Sequence, residues 1–328
     1  MSETSIHVVE DCFPVAGTFT ISRGSRTKIR VVTVELRDGS FCGRGESVPY
    51  SRFGETVEGV METIRSLEQH LKNGLDRIGL QSKLPPGAAR NALDCAFWDL
   101  EAKKRGTAAW KIAGLPSPVR LSTAFTLSLA DPDSMREAAA TNSYRPLLKV
   151  KLGSDCDADR IRAVRAGAPH SMLIVDANEG WTIQQYLDLA PQLVSLGVAM
   201  VEQPLPVDAD EALRDIERAL PVCADESCHD RQSLRSLVGK YDAINIKLDK
   251  TGGLTEALEL KRDALAAGFD LMVGCMLGTS LAMAPAFLLA QGVKYVDLDG
   301  PLLLAKDRQV AIQYDGSLME PPPSSLWG

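Results

Sequence analysis

Six residues have the types and the spacing for proton transfer around a cation. Lys149 and Lys151 lie two positions apart in LLKVKLG; Asp176, Glu202 and Asp225 follow in IVDAN, MVEQP and CADES; and Lys247 stands in NIKLDK. From Lys151 to Lys247 the successive intervals are 25, 26, 23 and 22 residues. Three converging carboxylates would repel and raise one another's pKa values, and a cation between them resolves the conflict. Every donor would be an oxygen, because the four histidines (7, 70, 170 and 229) are none of these residues. Hard oxygen ligands favour Mg2+ over zinc, with Mn2+ able to substitute. A single acid after a strand can equally be a helix N-cap. Three in register on consecutive strands make a metal site the better reading.

Side chains alternate across a strand, so Lys149 and Lys151 share one face and Val150 takes the other. By the same alternation Asn245, Lys247 and Asp249 share a face. A lysine crowded by another ammonium group is expected to have a depressed pKa and to be neutral often enough to act as a base. Two such bases on opposite sides of a metal-bound carboxylate suit one reaction. One removes an α-proton, the metal holds the enediolate, and the other returns a proton to the opposite face, inverting a stereocentre.

The intervals between these residues are those of βα units, because parallel strands need a crossover helix. Eight short apolar strands alternate with amphipathic segments from LSTAFTL, near position 121, to VKYVDLDGP, near 293. The prediction is an α/β fold: a (β/α)7-8 TIM-like barrel over 117–305, with its active site at the C-terminal ends of the strands. Residues 1–116 read as an α+β capping domain. KIRVVTVELRDGSFCGRGESV alternates around an Asp38-Gly39 hairpin turn, and helices are predicted over about 55–70 and 88–104. The second helix has Leu93, Phe97 and Leu100 on one face. The tail 306–328, with QVAIQYDG and PPPSSLWG, is expected to return to this domain.

Bulk properties narrow the partners. The 328 residues are 45 % hydrophobic and 24 % charged with net charge −7, so an electrostatic grip on nucleic acid is not expected. No apolar run approaches the roughly 20 residues of a membrane helix, and the N-terminus lacks the pattern of a signal peptide. Seven scattered cysteines read as reduced thiols, so a cytoplasmic enzyme with a small substrate is expected. Barrel enzymes of this kind often form homo-oligomers, but no interface is legible.

Together these residues resemble the enolase superfamily, and within it the muconate-lactonizing-enzyme subgroup. That subgroup carries Lys-x-Lys on the second barrel strand, acids on the third to fifth and a lysine on the sixth; here KVK, VDANE, VEQPL, ADES and NIKLDKTGG stand in that order. The resemblance implies Lys151 and Lys247 as acid/base catalysts, with Lys149 tuning Lys151. It implies Asp176, Glu202 and Asp225 as ligands of one Mg2+ per subunit, with Asn178, Glu226 and Asn245 beside them in support. On the eighth strand Asp297-x-Asp299 is similar to the motif with which dipeptide epimerases bind an α-ammonium. Two acids on one strand face suit a cation, although a strand-end cap is another role for them.

Runs such as GAARNALDCAFWDL and CADESCH are similar to bacterial dipeptide epimerases acting on L-Ala-D/L-Glu. That implies an isomerase of murein-derived dipeptides, converting L-Ala-D-Glu to L-Ala-L-Glu. The family meets the glutamate side chain from a mobile capping-domain loop, here ISRGSRTKIR; Arg26, just before the strand, is favoured over Arg23. PYSRFGET is a second candidate lid. Other dipeptide epimerases, N-acylamino acid racemase, o-succinylbenzoate synthase and muconate cycloisomerase are the alternatives. The last two need no second base, and the substrates of the last three lack the ammonium group that Asp297 and Asp299 suit. A non-catalytic binding barrel is disfavoured, because so many buried charges without a role would be a standing cost.

Overall fold

The structure, a computed structural model, describes residues 4–328. Its first unit is an antiparallel sheet of β1 (Ser5–Ile21), β2 (Gly24–Asp38) and β3 (Phe41–Ser47), with Gly39 in a left-handed turn between the last two. Alternation along β2 serves two cores. Val32, Val34 and Leu36 pack with Leu93, Phe97 and Leu100 of the helix Ala88–Arg105, whereas Ile29 and Val31 pack with Val48 and Leu304. β3 approaches that helix closely because it carries Gly43 and Gly45. A Cβ would stand 2.2 Å from the Ala96 carbonyl oxygen at the first and 2.1 Å from that of Ala92 at the second.

The second unit follows β4 (Leu121–Ser122). Eight parallel strands run in sequence order: β5 (Phe125–Leu127), β6 (Leu147–Lys151), β7 (Met172–Asp176), β8 (Val198–Glu202), β9 (Val222–Ala224), β10 (Ala243–Ile246), β11 (Asp270–Gly274) and β12 (Tyr295–Asp297). The Ala124 N–H donates to the Val296 carbonyl (2.8 Å) and joins the two ends of this sheet. The predicted barrel is therefore present, with uneven helices. Only a 3-10 turn, Asp210–Asp215, lies between β8 and β9, and the four-residue helix Leu234–Leu237 lies between β9 and β10. Pro204 and Pro206 oppose a helix directly after β8.

Strand alternation gives the barrel two environments. Val150, Val175, Val201, Ile244 and Val273 face outward into the shell beneath the helices. Ile174, Met200, Cys223, Ala243, Met272 and Tyr295 form the inner apolar core. Two residues further along the same inward faces come Asp176, Glu202, Asp225, Asn245, Gly274 and Asp297, so the polar layer sits directly on the apolar one.

One expected alignment does not occur. β10 ends at Ile246 and a short helix, Leu248–Thr251, follows, so Asp249 turns away from Lys247. Asp249 Oδ1 instead accepts from the Val48 N–H and from Asn91 Nδ2, both at 2.9 Å, in the first unit. The helix Ala88–Arg105 grips the same turn. Arg90 Nη2 donates to the Thr251 carbonyl (2.6 Å), and Asp94 Oδ2 accepts from the Thr255 N–H (3.0 Å), capping the helix Leu254–Ala266.

The tail divides between the units. β13 (Tyr314–Asp315) and β14 (Leu318–Met319) extend β4, and Ile312 and Met319 join the barrel core. Two parts of the tail reach the first unit: Arg308 Nη2 donates to Glu46 Oε2 (2.7 Å) and Thr33 Oγ1 (2.6 Å), and at the end Trp327 Nε1 donates to the Cys95 carbonyl and the Gly328 N–H to Asp99. No described helix is long and apolar enough to cross a membrane.

Replacing Gly45 by Ala forces β3 off the helix Ala88–Arg105. The expected loss is about 1–3 kcal/mol, as for other overpacked cores, read as a lower midpoint in chemical denaturation; an unchanged midpoint contradicts the close approach.

Candidate active site

Parallel register aligns the strand tips: Lys151 lies opposite Asp176, and Asp176 opposite Glu202. Asp225 follows β9, and Lys247 follows β10. One carboxylate oxygen from each of Asp176, Glu202 and Asp225 lies within 4.8 Å of the others, and all three residues are buried. The two lysines close the row at opposite ends. Lys151 Nζ donates to Asp176 Oδ2 (2.6 Å), and Lys247 Nζ donates to Asp225 Oδ2 (2.7 Å).

Lys149 sits under the row at 1 % exposure. Its Nζ donates to Asp297 Oδ2 (2.7 Å) and lies 3.2 Å from Asp176 Oδ2. Glu202 Oε2 is 2.7 Å from the same ammonium but unaligned for a hydrogen bond, and makes none. That leaves Glu202 Oε2 a buried acceptor beside two further carboxylates, which suits a cation. Asn245 Nδ2 fixes the other oxygen, donating to Glu202 Oε1 (2.8 Å). Gly274 makes room for Asn245, since a Cβ there would meet Asn245 Oδ1 at 2.7 Å.

Without a cation, Lys149 and Lys247 are raised rather than depressed as sequence crowding suggests. Burial lowers Lys149, but Asp297, Glu202 and Asp176 outweigh it and hold its pKa well above the usual lysine value. Burial also lowers Lys247, yet Asp225 holds it high, with Lys149 opposing. The carboxylates, which the spacing of lysines alone does not weigh, reverse the sign. The acids divide too. Burial raises Asp176 and Asp225, but their lysines bring both below the ordinary range. Glu202 is raised to about 7 by burial and by Asp176.

The Asp297–Asp299 pair differs in detail from two residues on one strand face. β12 ends at Asp297, and Asp299 enters from the following turn. Asp299 Oδ2 accepts from the Thr126 N–H (2.6 Å), and burial followed by Asp297 raises its pKa to about 7. Asp297 Oδ1 is buried without a partner. Both acids line a recess with Lys149, Lys151, Lys247 and Phe19.

Two segments of the first unit cover this site. The predicted loop around Arg23 is the tip of the β1–β2 hairpin, with Arg23 at the turn and Arg26 inside β2, opposite Phe19. Arg23 is engaged: it donates to the Asn178 carbonyl (2.6 Å) and Tyr50 Oη (2.9 Å) and pairs with Glu226 (2.5 Å). Arg26 lines a second cavity, shared with Arg23, Lys151 and Lys247, with its guanidinium 5.6 Å from the Tyr50 ring centroid, and among the described residues it has no carboxylate partner. The second segment, around Tyr50–Phe53, is held by Arg52, whose Nε and Nη2 donate to the two oxygens of Glu179 at 2.7 and 2.8 Å. Phe53 packs edge-on against His229 at 4.6 Å. Asn178 binds through its backbone: its N–H donates to Asp176 Oδ1 (2.9 Å). Burial raises the Glu226 pKa, and Asp225 and Asp176 add to the rise.

Sequence reasoning passed over Lys250, Gln203, Glu179 and Arg52. Lys250 is buried and donates to Asp225 Oδ1 (2.6 Å). Strand parity assigns it to the face opposite Lys247, and only the helical turn brings it back beneath Asp225. Its presence in NIKLDKTGG was the available signal.

Residues 133–312 match the family described as Enolase C-terminal domain-like, and residues 3–114 match the Mandelate racemase / muconate lactonizing enzyme N-terminal domain. The chain belongs to the enolase superfamily. Among superfamily relatives, the L-Ala-D/L-Glu epimerase of Escherichia coli K12 is 47 % identical, over 94 % of this chain and 97 % of its own. An N-acetyl-D-glutamate racemase of a Pseudoalteromonas species is 45 % identical, over 91 % and 95 %. Among solved structures, an Agrobacterium tumefaciens enolase family member with homology to dipeptide epimerases, holding sodium and L-Ala-L-Glu with an ordered loop, superposes with TM-score 0.97. It is 52 % identical, over 99 % of this chain and 100 % of that one. A dipeptide epimerase of Enterococcus faecalis V583 complexed with Mg and L-Leu-L-Tyr gives 0.91 at 28 % identity, over 98 % and 97 %.

Asn245→Ala removes the donor that orients Glu202. Divalent-cation affinity is expected to fall by roughly ten- to a hundred-fold, as when other groups that orient ligands are lost. Calorimetric titration with Mg2+ reads this, and unchanged affinity would mean that Glu202 needs no orienting partner.

Proposed function

We propose that the protein is a Mg2+-dependent dipeptide epimerase interconverting L-Ala-D-Glu and L-Ala-L-Glu by two-lysine proton transfer. In this reading residues 117–305 are the catalytic barrel and 1–116 its cap, which the tail 306–328 joins through Arg308 and its last residues while its middle packs on the barrel. The observation that carries it is the pairing of two lysines, at opposite ends of a carboxylate row, with the recess holding Asp297 and Asp299. The Escherichia coli relative, an L-Ala-D/L-Glu epimerase, supports the same assignment, as does the bound L-Ala-L-Glu of the Agrobacterium structure. Degradation of murein peptides in the cytoplasm is the setting that this substrate suggests.

Asp176, Glu202 and Asp225 would hold the Mg2+, an all-oxygen donor set suited to a hard cation. When bound, it supplies positive charge against which negative charge on the substrate's carboxylate can build. Lys151 Nζ lies 2.6 Å from Asp176 Oδ2 and Lys247 Nζ 2.7 Å from Asp225 Oδ2, so a cation held by these carboxylates would compete with both ammonium groups for them. A lysine relieved of its carboxylate loses what held its proton. Acting from opposite sides, one lysine takes the glutamyl α-proton and the other delivers one to the opposite face. Asp297 Oδ1 and Asp299 receive the α-ammonium of the alanine, which gives a partner to an otherwise unsatisfied oxygen. Arg26 is the better candidate for the glutamate carboxylate, because the guanidinium of Arg23 is already engaged. The hairpin tip and the Tyr50–Phe53 segment keep water from the reacting carbon.

A second reading, racemisation of N-acetylglutamate, is favoured by the Pseudoalteromonas relative. It leaves Asp297 Oδ1 without a cationic partner, so it ranks lower. In D2O with Mg2+, L-Ala-D-Glu is expected to gain deuterium at the glutamyl α-carbon while forming L-Ala-L-Glu, faster than N-acetyl-D-glutamate exchanges. Absence of exchange with either dipeptide epimer overturns the reading, and faster exchange of the acetylated compound installs the second.

Lys151→Ala and Lys247→Ala are expected to lose α-proton exchange with opposite epimers, each by at least roughly a hundred- to ten-thousand-fold. Exchange measured by NMR separately from each epimer checks this. Normal epimerisation by either variant contradicts the two-base assignment.

A further inference from the structure

Gln203, which directly follows Glu202, is fully buried with its backbone at φ 34°. A left-handed conformation in a long side chain costs about 1–3 kcal/mol and persists only where the surroundings hold it. The surroundings here are specific. Gln203 Oε1 accepts from the N–H groups of Asp225 (2.9 Å) and Ser227 (3.1 Å). Gln203 Nε2 lies 2.9 Å from each of the Leu205 carbonyl, Ser227 Oγ and Tyr241 Oη. Its main chain is engaged as well: its N–H donates to the Cys223 carbonyl, and its carbonyl accepts from the Glu179 N–H, both at 2.9 Å. One residue thus ties together the turns that carry Asp176, Glu202 and Asp225. A buried network secures it from behind, where Ser227 Oγ and Tyr241 Oη donate to Asp210 Oδ2 and Lys240 Nζ to Asp210 Oδ1.

We infer that Gln203 is a positioning residue that sets the separation of the Glu202 and Asp225 carboxylates, and with it the size of the cation seat. The reason is covalent as well as polar. The Gln203 side chain fixes the backbone N–H of Asp225, while its main chain is bonded directly to Glu202, so the two acids cannot drift apart without breaking two buried hydrogen bonds. Neighbouring strands alone do not do this, because the β8–β9 ladder ends at Glu202 opposite Cys223, two residues short of Asp225. The inference rests on the proposed cation site, deepening it with a residue that touches neither cation nor substrate.

The test is calorimetric titration of the substrate-free protein with Mg2+. Gln203→Met, of similar length and without hydrogen bonds, is expected to bind Mg2+ roughly ten- to a hundred-fold more weakly than the unaltered chain. Tyr241→Phe removes a partner of Nε2 but leaves both Oε1 bonds, and is expected to stay within about threefold. Should Gln203→Met fail to fold, Gln203→Asn, one methylene too short to bridge the two turns, is measured in its place with the same expectation. Unaltered affinity in the folded Gln203 variant, or an equal loss in Tyr241→Phe, overturns the inference. No Mg2+ binding by the unaltered chain overturns the cation site itself, a separate outcome.

Discussion

Mutual compensation of buried charge at the strand tips is the constraint on which the rest of the structure depends. Asp176, Glu202, Asp225, Asp297 and Asp299 meet Lys149, Lys151, Lys247 and Lys250, all buried. Neither set is tolerable alone, because removing one side of a buried ion pair leaves an uncompensated charge. Carboxyls exceed ammonium groups by one, and burial together with a neighbouring carboxylate raises both Glu202 and Asp299 to about 7. A cation is what such a ring lacks, and the proposed chemistry uses that deficit.

The barrel holds the ring by layering. Inward residues of the lower strand positions are apolar, and those two positions later are ionic, so each charged tip stands on a packed floor. The first unit completes the enclosure from above through the hairpin tip and through Arg52 on Glu179. It also steadies the turn after Lys247 through Arg90 and Asp249. The capping unit is therefore part of the site as much as a cover over it.

Much of this was legible along the chain. The near-equal intervals from Lys151 to Lys247 report βα units, and the barrel follows from them. The hairpin at Asp38-Gly39 and the helix Ala88–Arg105 follow from turn chemistry and periodicity. Less legible were places where the period changes inside a motif. Extending strand parity past Ile246 puts Asp249 on the face of Lys247 and would put Lys250 on the other; one helical turn exchanges the two. Arg26 was read as the end of a loop, yet lies in a long hairpin whose polar tip carries little strand signal. The direction of the shifts at Lys149 and Lys247 was not legible, because the facing carboxylates come from other strands.

The sequence by itself determined which side chains could do chemistry and on which strands they ride, because a parallel barrel converts even spacing into adjacency. Only the tertiary structure decided the pairings: which carboxylate holds which lysine, that among the described residues Asp297 keeps one oxygen unpartnered and Arg26, unlike Arg23, has no carboxylate, and that Gln203 bridges Glu202 to Asp225. Those outcomes turn on distances of an ångström or so between residues 20 to 150 positions apart. Such distances come from packing across strands, and no local pattern encodes them.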